Sequence, residues 1–329
     1  MAIKPLRIWC NAELDEAAIQ RLRDATAHHH LVVDQKLAAN AWEESEPSNA
    51  LLDAEIAFGQ PNRITCQQSP HLRWLATNSG GYTTYDLPEF REGLRERGAV
   101  FTTSSSVFAD PCAQHVLGMM LALNRRFPDS WADQQKPSPA WAYNARRMQS
   151  HLLNGQTVLI LSFGTIARRL VKYLEPFGMK IYALRRRAYS ESGVHVIAEE
   201  RLSAVLPEVD HLVNILPQNA STDHYVNARR LALLKPGARF YNIGRGTTVD
   251  QNALMEALRA GRVGEAYLDV TEPEPLPPEH PLWATPNCHI TPHTSGGRVD
   301  QTAAVVDHFI RNLQRFEMGD LDGMVDRVE

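Results

Sequence analysis

Short apolar runs alternate with stretches of helical periodicity along most of the chain. In the first hundred residues, LRIWC at 6–10, LVV at 31–33, AEIAFG at 54–59, LRWLATN at 72–78 and AVFTT at 99–103 are predicted strands. Residues 13–26 are a predicted helix, with Ile19 and Leu22 on its apolar side. A second series begins at Gln156, with predicted strands TVLILSF, KIYAL, HLVNIL, ARFYNIG, EAYLDV and CHITPH. Ile166, Leu170, Leu174 and Phe177 fall at helical spacing after the first of these. Strands alternating with helices predict βαβ units, mostly parallel sheets and two α/β domains.

Between the two series lies a long apolar helix over about 110–125, with Asp110 as its cap and Pro111 in its first turn. The polar stretch that follows, to about 150, is rich in Trp, Pro and Gln and reads as a connecting arm or part of a subunit interface. Residues 250–260 are a further predicted helix, capped by Asp250. From Asp300 one amphipathic helix carries Ala303, Val306, Phe309, Leu313 and Phe316; it follows the second series and is free to cross back to the first domain.

Composition narrows the partners. A chain of 329 residues with 43% hydrophobic and 22% charged residues suits a two-domain protein with a real core. The net charge of −4 gives no general pull toward nucleic acid or an anionic membrane. The four cysteines are scattered, with no CxxC pair, which fits a reducing compartment. The N-terminus does not read as a signal peptide, and no apolar run approaches the ~18 residues of a membrane span. A cytoplasmic location is the expectation.

Candidate chemistry begins at Ser162-Phe163-Gly164-Thr165-Ile166-Ala167, between a buried strand and an amphipathic helix. A dinucleotide fingerprint has G-x-G-x-x-G/A at that junction. Gly164 and Ala167 match, whereas Ser162 stands where the first glycine serves the tight turn. The following helix N-terminus would present free N–H groups to phosphate. An ordinary strand-to-helix turn would look similar. The next strand ends at Leu184, and Arg185-Arg186-Arg187 follow, where an acid would hold the ribose 2′-hydroxyl of NAD. Arginines there suit a 2′-phosphate, so NADP(H) is the predicted preference, with NAD(H) still possible.

Arg245 in NIGRGTTVD, Glu274 in LDVTEPEPLP and His293 in HITPHTSGG each sit at a predicted strand end. Singly, each reads as an ordinary turn or loop residue; together a cation, a carboxylate and an imidazole can orient a small acid and move a proton. With SGGYTTYD near residue 80 and the strand–SFGTIA–helix unit, the chain resembles the D-isomer-specific 2-hydroxyacid dehydrogenases over nearly its whole length. The resemblance implies two doubly wound parallel-sheet domains. A Rossmann NAD(P)-binding domain (105–295) would be inserted into a flavodoxin-like substrate domain (1–104 plus 296–329), with the active site in the cleft and a homodimer held largely through the nucleotide domain.

By the same resemblance, His293 would be the acid/base, Glu274 would stabilise its cationic form, and Arg245 would bind the substrate carboxylate. Backbone amides at Gly80, Gly81 and Tyr82 would also hold the carboxylate, and Asp269 would help to orient the nicotinamide carboxamide. The implied activity is reduction of a small 2-oxo acid, such as glyoxylate or hydroxypyruvate, to a D-2-hydroxy acid. Its rivals are an NADP(H)-sensing protein without turnover, to which Ser162 points, and oxidation of an unusual small acid on the same scaffold. Tyr82, Phe108 and Trp141 are candidates to shape the pocket, Trp141 from a neighbouring subunit.

No metal site is expected. The run His28-His29-His30 lies between a helix and a strand without partners at ligand spacing and reads as surface. Strand alternation puts His289 and His293 on one face and Cys288 on the other.

Overall fold

The computed structural model describes residues 4–38 and 45–328. Two compact units emerge, Met1–Phe108 with Arg298–Glu329, and Ala109–Gly297. In the first unit, β1 (Arg7–Cys10), β2 (His30–Val33), β3 (Ile56–Gly59), β4 (Trp74–Thr77) and β5 (Val100–Thr102) form one parallel sheet in the order β2-β1-β3-β4-β5. β3 and β4 are buried at every position, as befits parallel strands covered on both faces.

The C-terminal helix Gln301–Glu317 belongs to this unit and supplies much of its core. Phe309 stacks 4.2 Å from Phe58 and 4.9 Å from Trp74, centroid to centroid. Full burial of such a ring contributes about 2–3 kcal/mol. This helix also corrects the expectation for the histidine run. His28 and His30 are exposed, but His29 is buried, its Nδ1 accepting from the Leu6 amide (3.2 Å) and its Nε2 meeting Glu317 (2.7 Å). The partner that buries it comes from the far end of the chain, where local spacing has no reach. With Nδ1 accepting, a neutral His29 carries its proton on Nε2 and gives it to Glu317.

The second unit holds eight strands: β6 (Thr157–Leu161), β7 (Lys180–Leu184), β8 (Ser190–Glu191), β9 (Val194–Ile197), β10 (His211–Asn214), β11 (Ala238–Asn242), β12 (Val263–Leu268) and β13 (Cys288–Ile290). Their order is β13-β12-β11-β10-β6-β7-β9-β8, parallel except for the β8–β9 hairpin. The chain runs outward from β6 to one side, then returns to build the other from β10. That reversal is the Rossmann arrangement, which places ligands beyond the carboxyl ends of the strands at the switch between β6 and β10.

Most predicted elements appear with shifted ends, and a few differ. Helix 165–174 stops before Phe177, because Pro176 sits in a tighter turn, Glu175–Phe177. Asp110 lies inside the first turn of helix Ala109–Asn124 rather than capping it, and its carboxylate binds the Tyr173 hydroxyl and Arg169. Asp250 does cap its helix, accepting from the Ala253 amide at 3.0 Å. β13 ends at Ile290, so the alternation expected to reach His293 stops short of it. Proline at 292 has no N–H for a ladder, and the chain turns there. No described helix is long and apolar enough to cross a membrane.

Candidate active site

The nucleotide turn follows β6, a strand buried throughout. Ser162 takes φ of 94°, a conformation normally left to glycine. The side chain therefore occupies a backbone shape that the missing glycine would adopt freely. Phe163 points into the core, and Gly164 precedes helix Thr165–Leu174 in an extended conformation. A Cβ built on Gly164 meets nothing within 4 Å, so backbone at the helix N-terminus faces open space. That arrangement has room for a dinucleotide pyrophosphate, which the first-turn N–H groups of Thr165 and Ile166 could hold.

Arg185, just beyond β7, donates from Nη1 to the Phe163 carbonyl at 3.1 Å, which places its guanidinium at the turn. Arg185, Arg186 and Arg187 are all exposed. The nearest acid along the chain, Glu191, is committed to Arg168 at 2.8 Å. Arg168 in turn lies 4.4 Å over the Phe163 ring. The end of β7 thus offers exposed cations and an already paired carboxylate.

Arg245 sits beyond β11 in a loop held by a buried amide network. Asn242 Nδ2 donates to the Arg245 carbonyl (3.0 Å), while its Oδ1 accepts from the Gly244 amide (3.1 Å) and from Asn214 Nδ2 (3.0 Å). Asn214 also reaches Thr248 Oγ1 at 2.7 Å. A Cβ on Gly246 would lie 1.9 Å from the Thr271 carbonyl oxygen, so only glycine lets this loop press against the segment that carries Glu274. Burial lowers the pKa of the Arg245 guanidinium, and the Glu274 charge opposes that shift. The group stays cationic and poorly solvated, a state that favours capture of an anion.

Glu274 accepts at His293 Nδ1, so the two predicted partners are brought together. His293 has φ of 52°. Its loop is held by Asp269, buried at the end of β12. The Asp269 carbonyl accepts from the His293 amide (2.8 Å), Oδ1 from Thr291 Oγ1 (2.5 Å) and the Thr294 amide (2.9 Å), and Oδ2 from the Ser295 amide (2.9 Å). The Asp269 carboxylate, expected to help orient the nicotinamide carboxamide, thus has three donors within the chain. Cys112 lies 3.8 Å from Ser295 Oγ, and burial pushes its thiol up to about 11.

Gly80, Gly81 and Tyr82 belong to the other unit, after β4. The Gly80 carbonyl accepts from Ser105 Oγ (3.1 Å) and that of Gly81 from Ser79 Oγ (2.6 Å). The Tyr82 ring packs edge-on against Phe101, and Phe108 joins the same unit's apolar core. Trp141 is 94% exposed. The residues that sequence reading missed, Asn214, Asn242, Thr248 and Gly246, are those that hold Arg245. The Arg-Gly pair was the one local signal for them.

A family model described as "D-isomer specific 2-hydroxyacid dehydrogenase, NAD binding domain" matches residues 117–295. Over 306 residues the chain is 31% identical to the glyoxylate reductase of Pyrococcus furiosus, spanning 88% of this chain and 89% of that protein. It is 33% identical over 278 residues to glyoxylate/hydroxypyruvate reductase B of Pectobacterium atrosepticum, with 80% and 84% covered. A solved D-isomer specific 2-hydroxyacid dehydrogenase from Xanthobacter autotrophicus, in complex with NADPH and MES, matches with a TM-score of 0.78 at 25% identity, over 99% of this chain and 98% of that one.

Proposed function

Because the chain belongs to the D-isomer-specific 2-hydroxyacid dehydrogenases, we propose that it works as an NADPH-preferring reductase of a small 2-oxo acid such as glyoxylate or hydroxypyruvate. It is an NAD(P)-dependent oxidoreductase of that family. The observation that carries the finer reading is the His293–Glu274 pair beside a desolvated Arg245, all on strand-end loops of the NAD-binding unit.

NADPH, when bound, supplies the hydride that reaches C2 of the 2-oxo acid. His293 delivers a proton to the C2 oxygen as the charge develops there, and the product is the 2-hydroxy acid. Glu274, accepting at Nδ1, orients the ring and stabilises the imidazolium, so the transferable proton sits on Nε2. Arg245 pairs with the substrate carboxylate and polarises the carbonyl. The amides of Gly80, Gly81 and Tyr82 are further carboxylate donors. Arg185 and Arg186 grip the 2′-phosphate, while Ser162, Phe163, Gly164, Thr165 and Ile166 form the pyrophosphate turn, and Asp269 helps to orient the nicotinamide carboxamide. The D configuration of the product follows the family.

We also assign a homodimer contact to the segment around 125–152, where Trp131, Trp141, Met148 and Leu152 are each exposed. Light scattering is expected to give twice the chain mass.

The test is nicotinamide absorbance with NADPH, then NADH, against glyoxylate, hydroxypyruvate, pyruvate and a bulky aromatic 2-oxo acid. Faster oxidation of NADPH with the small acids is the expected result, and His293→Ala is expected to lower kcat by about a thousandfold while still binding NADPH. Near-normal turnover in that variant would remove the proposed proton donor. Tight NADPH binding by the wild type with no turnover of any acid would favour a sensing role instead.

A further inference from the structure

Behind the His293 loop runs a chain of side chains that the reaction as described does not use. His115, on helix Ala109–Asn124, directs Nε2 at the Tyr267 hydroxyl on β12. That hydroxyl meets Thr291 Oγ1, and Thr291 lies 2.5 Å from Asp269 Oδ1. Asp269 then holds the amides of Thr294 and Ser295 through its carboxylate and that of His293 through its carbonyl. Every member lies within Ala109–Gly297.

The donor direction along this chain is set from one end. Asp269, as a carboxylate, only accepts, so the Thr291 hydroxyl gives it a proton. Thr291 must therefore accept from Tyr267, and Tyr267 from His115 Nε2–H. Burial lowers the His115 pKa, against the pull of Asp269 at 4.0 Å, which favours the neutral ring, and the hydroxyl chain then puts its proton on Nε2. Burial also pushes the Tyr267 phenol up, keeping its proton in place. The chain thus has one consistent hydrogen-bond polarity from the helix to the carboxylate.

We infer that His115, Tyr267 and Thr291 are positioning residues for the acid/base. They fix the rotation of the Asp269 carboxylate, and that carboxylate fixes the loop on which His293 sits. This rests on the reading of His293 as proton donor. The physical need is visible in the backbone. At φ of 52° His293 occupies a conformation that side-chain-bearing residues hold only when their surroundings over-determine it. Two amides of its loop, Thr294 and Ser295, are tied to one planar carboxylate. A carboxylate free to rotate would release one of them, whereas a third donor, Thr291, pins the plane. An error of about 1 Å in the placement of a reacting group can cost up to a hundredfold in rate.

The test compares Thr291→Val, Thr291→Ser and Tyr267→Phe with wild type and His293→Ala, using NADPH and the 2-oxo acid that wild type turns over fastest. Thr291→Val keeps the shape and removes the hydroxyl, and is expected to lower kcat by about tenfold or more with KM for NADPH within about twofold. Thr291→Ser restores the hydroxyl and is expected to recover most of that loss. Tyr267→Phe, the mildest packing change, is expected to lower kcat about threefold to tenfold. An inactive His293→Ala beside wild-type kcat in both Thr291→Val and Tyr267→Phe would overturn the inference and leave the proton donor standing. A Thr291→Ser variant as slow as Thr291→Val would also overturn it, because packing rather than the hydroxyl would then be at work. Normal turnover in His293→Ala would bring down the acid/base reading and this inference with it.

Discussion

Two loops at strand ends of the same sheet each carry a non-glycine residue in left-handed backbone space: Ser162 at φ of 94° after β6, and His293 at φ of 52° after β13. They are braced in opposite ways. The His293 loop hangs on a buried carboxylate, Asp269, which takes three donors through its oxygens and the His293 amide through its carbonyl. Among the described residues, the side-chain hydrogen bond to the 162–164 turn is a single one, from exposed Arg185 to the Phe163 carbonyl. Unfavourable backbone costs about 1–3 kcal/mol and persists where packing imposes it. At His293 the imposition is internal, and it serves the proposed proton donor. At Ser162 the cost attaches to a serine where the dinucleotide fingerprint has glycine, and the role proposed for that turn needs only backbone.

The largest expected effect comes from removing the internal brace. Asp269→Asn has one acceptor oxygen and an amide N–H₂ that must face the backbone amide of either Thr294 or Ser295, both donors. At least one buried donor loses its partner, costing about 1–3 kcal/mol of stability. With the loop loosened, kcat is expected to fall about tenfold to a hundredfold, beyond what cofactor KM accounts for. Urea unfolding and steady-state kinetics measure the two effects together. A variant with unchanged kcat would show that the two loops are equivalent and the contrast empty.

Removing the external brace tests the other side. Arg185→Asp deletes the bond to Phe163 and sets an acid where the 2′-phosphate is proposed to lie. The ratio of kcat/KM with NADPH to that with NADH is expected to fall about tenfold to a hundredfold, as one charge-assisted contact is lost and a repulsion is gained. Thermal stability should scarcely move, because the side chain is exposed. An unchanged cofactor ratio would leave Arg185 as a solvated turn residue.

The strand beside β6 adds a pH dependence of known sign. His211 on β10 pairs in register with Val158 and is fully buried, with Nε2 2.7 Å from Gln156 Oε1 and Nδ1 3.0 Å from the Tyr241 hydroxyl. Burial holds its pKa down to about 3, and Arg239 adds to the depression. The unfolded chain, with histidine near ~6.5, therefore binds a proton that the folded chain refuses, and stability falls as pH drops below about 6.5. Between pH 6.5 and 5 the slope is expected to approach about 1.4 kcal/mol per unit from this group. Burial lowers His29, His115 and His308 in the same direction. In His211→Gln the slope from unfolding at several pH values should lose about one proton; an identical slope would place the titration elsewhere.

The contrast between the loops also marks what the sequence could disclose. Arg245, Glu274 and His293 were legible because each lies in a short run beside a predicted strand, and the turn at 162–167 was legible for the same reason. The braces were not. The link from His115 to Tyr267 joins residues 152 positions apart, and that from His29 to Glu317 spans 288. The Asn214–Asn242–Thr248 network also joins separate strand ends, and a lone Asn carries no periodic signal. β9 was overlooked because VHVI is short and preceded only by a two-residue strand and a glycine turn. Local pattern thus located the groups proposed to do chemistry, and long-range pairing decides how rigidly each is held.

The smallest expected effect is the cleanest probe of the difference. Ser162→Gly removes a side chain from a φ that glycine adopts without strain, releasing about 1–3 kcal/mol of backbone cost. The added freedom of the unfolded chain offsets about 0.5–1 kcal/mol of that. A net gain of about 1 kcal/mol is expected, read as a rise of about 1–2 degrees in melting temperature for a chain of this size. NADPH binding should tighten slightly or stay unchanged, because the turn keeps its shape and loses only a hydroxymethyl group. A loss of stability in Ser162→Gly would mean that the serine side chain holds the turn, and that this loop, like the other, carries its own brace.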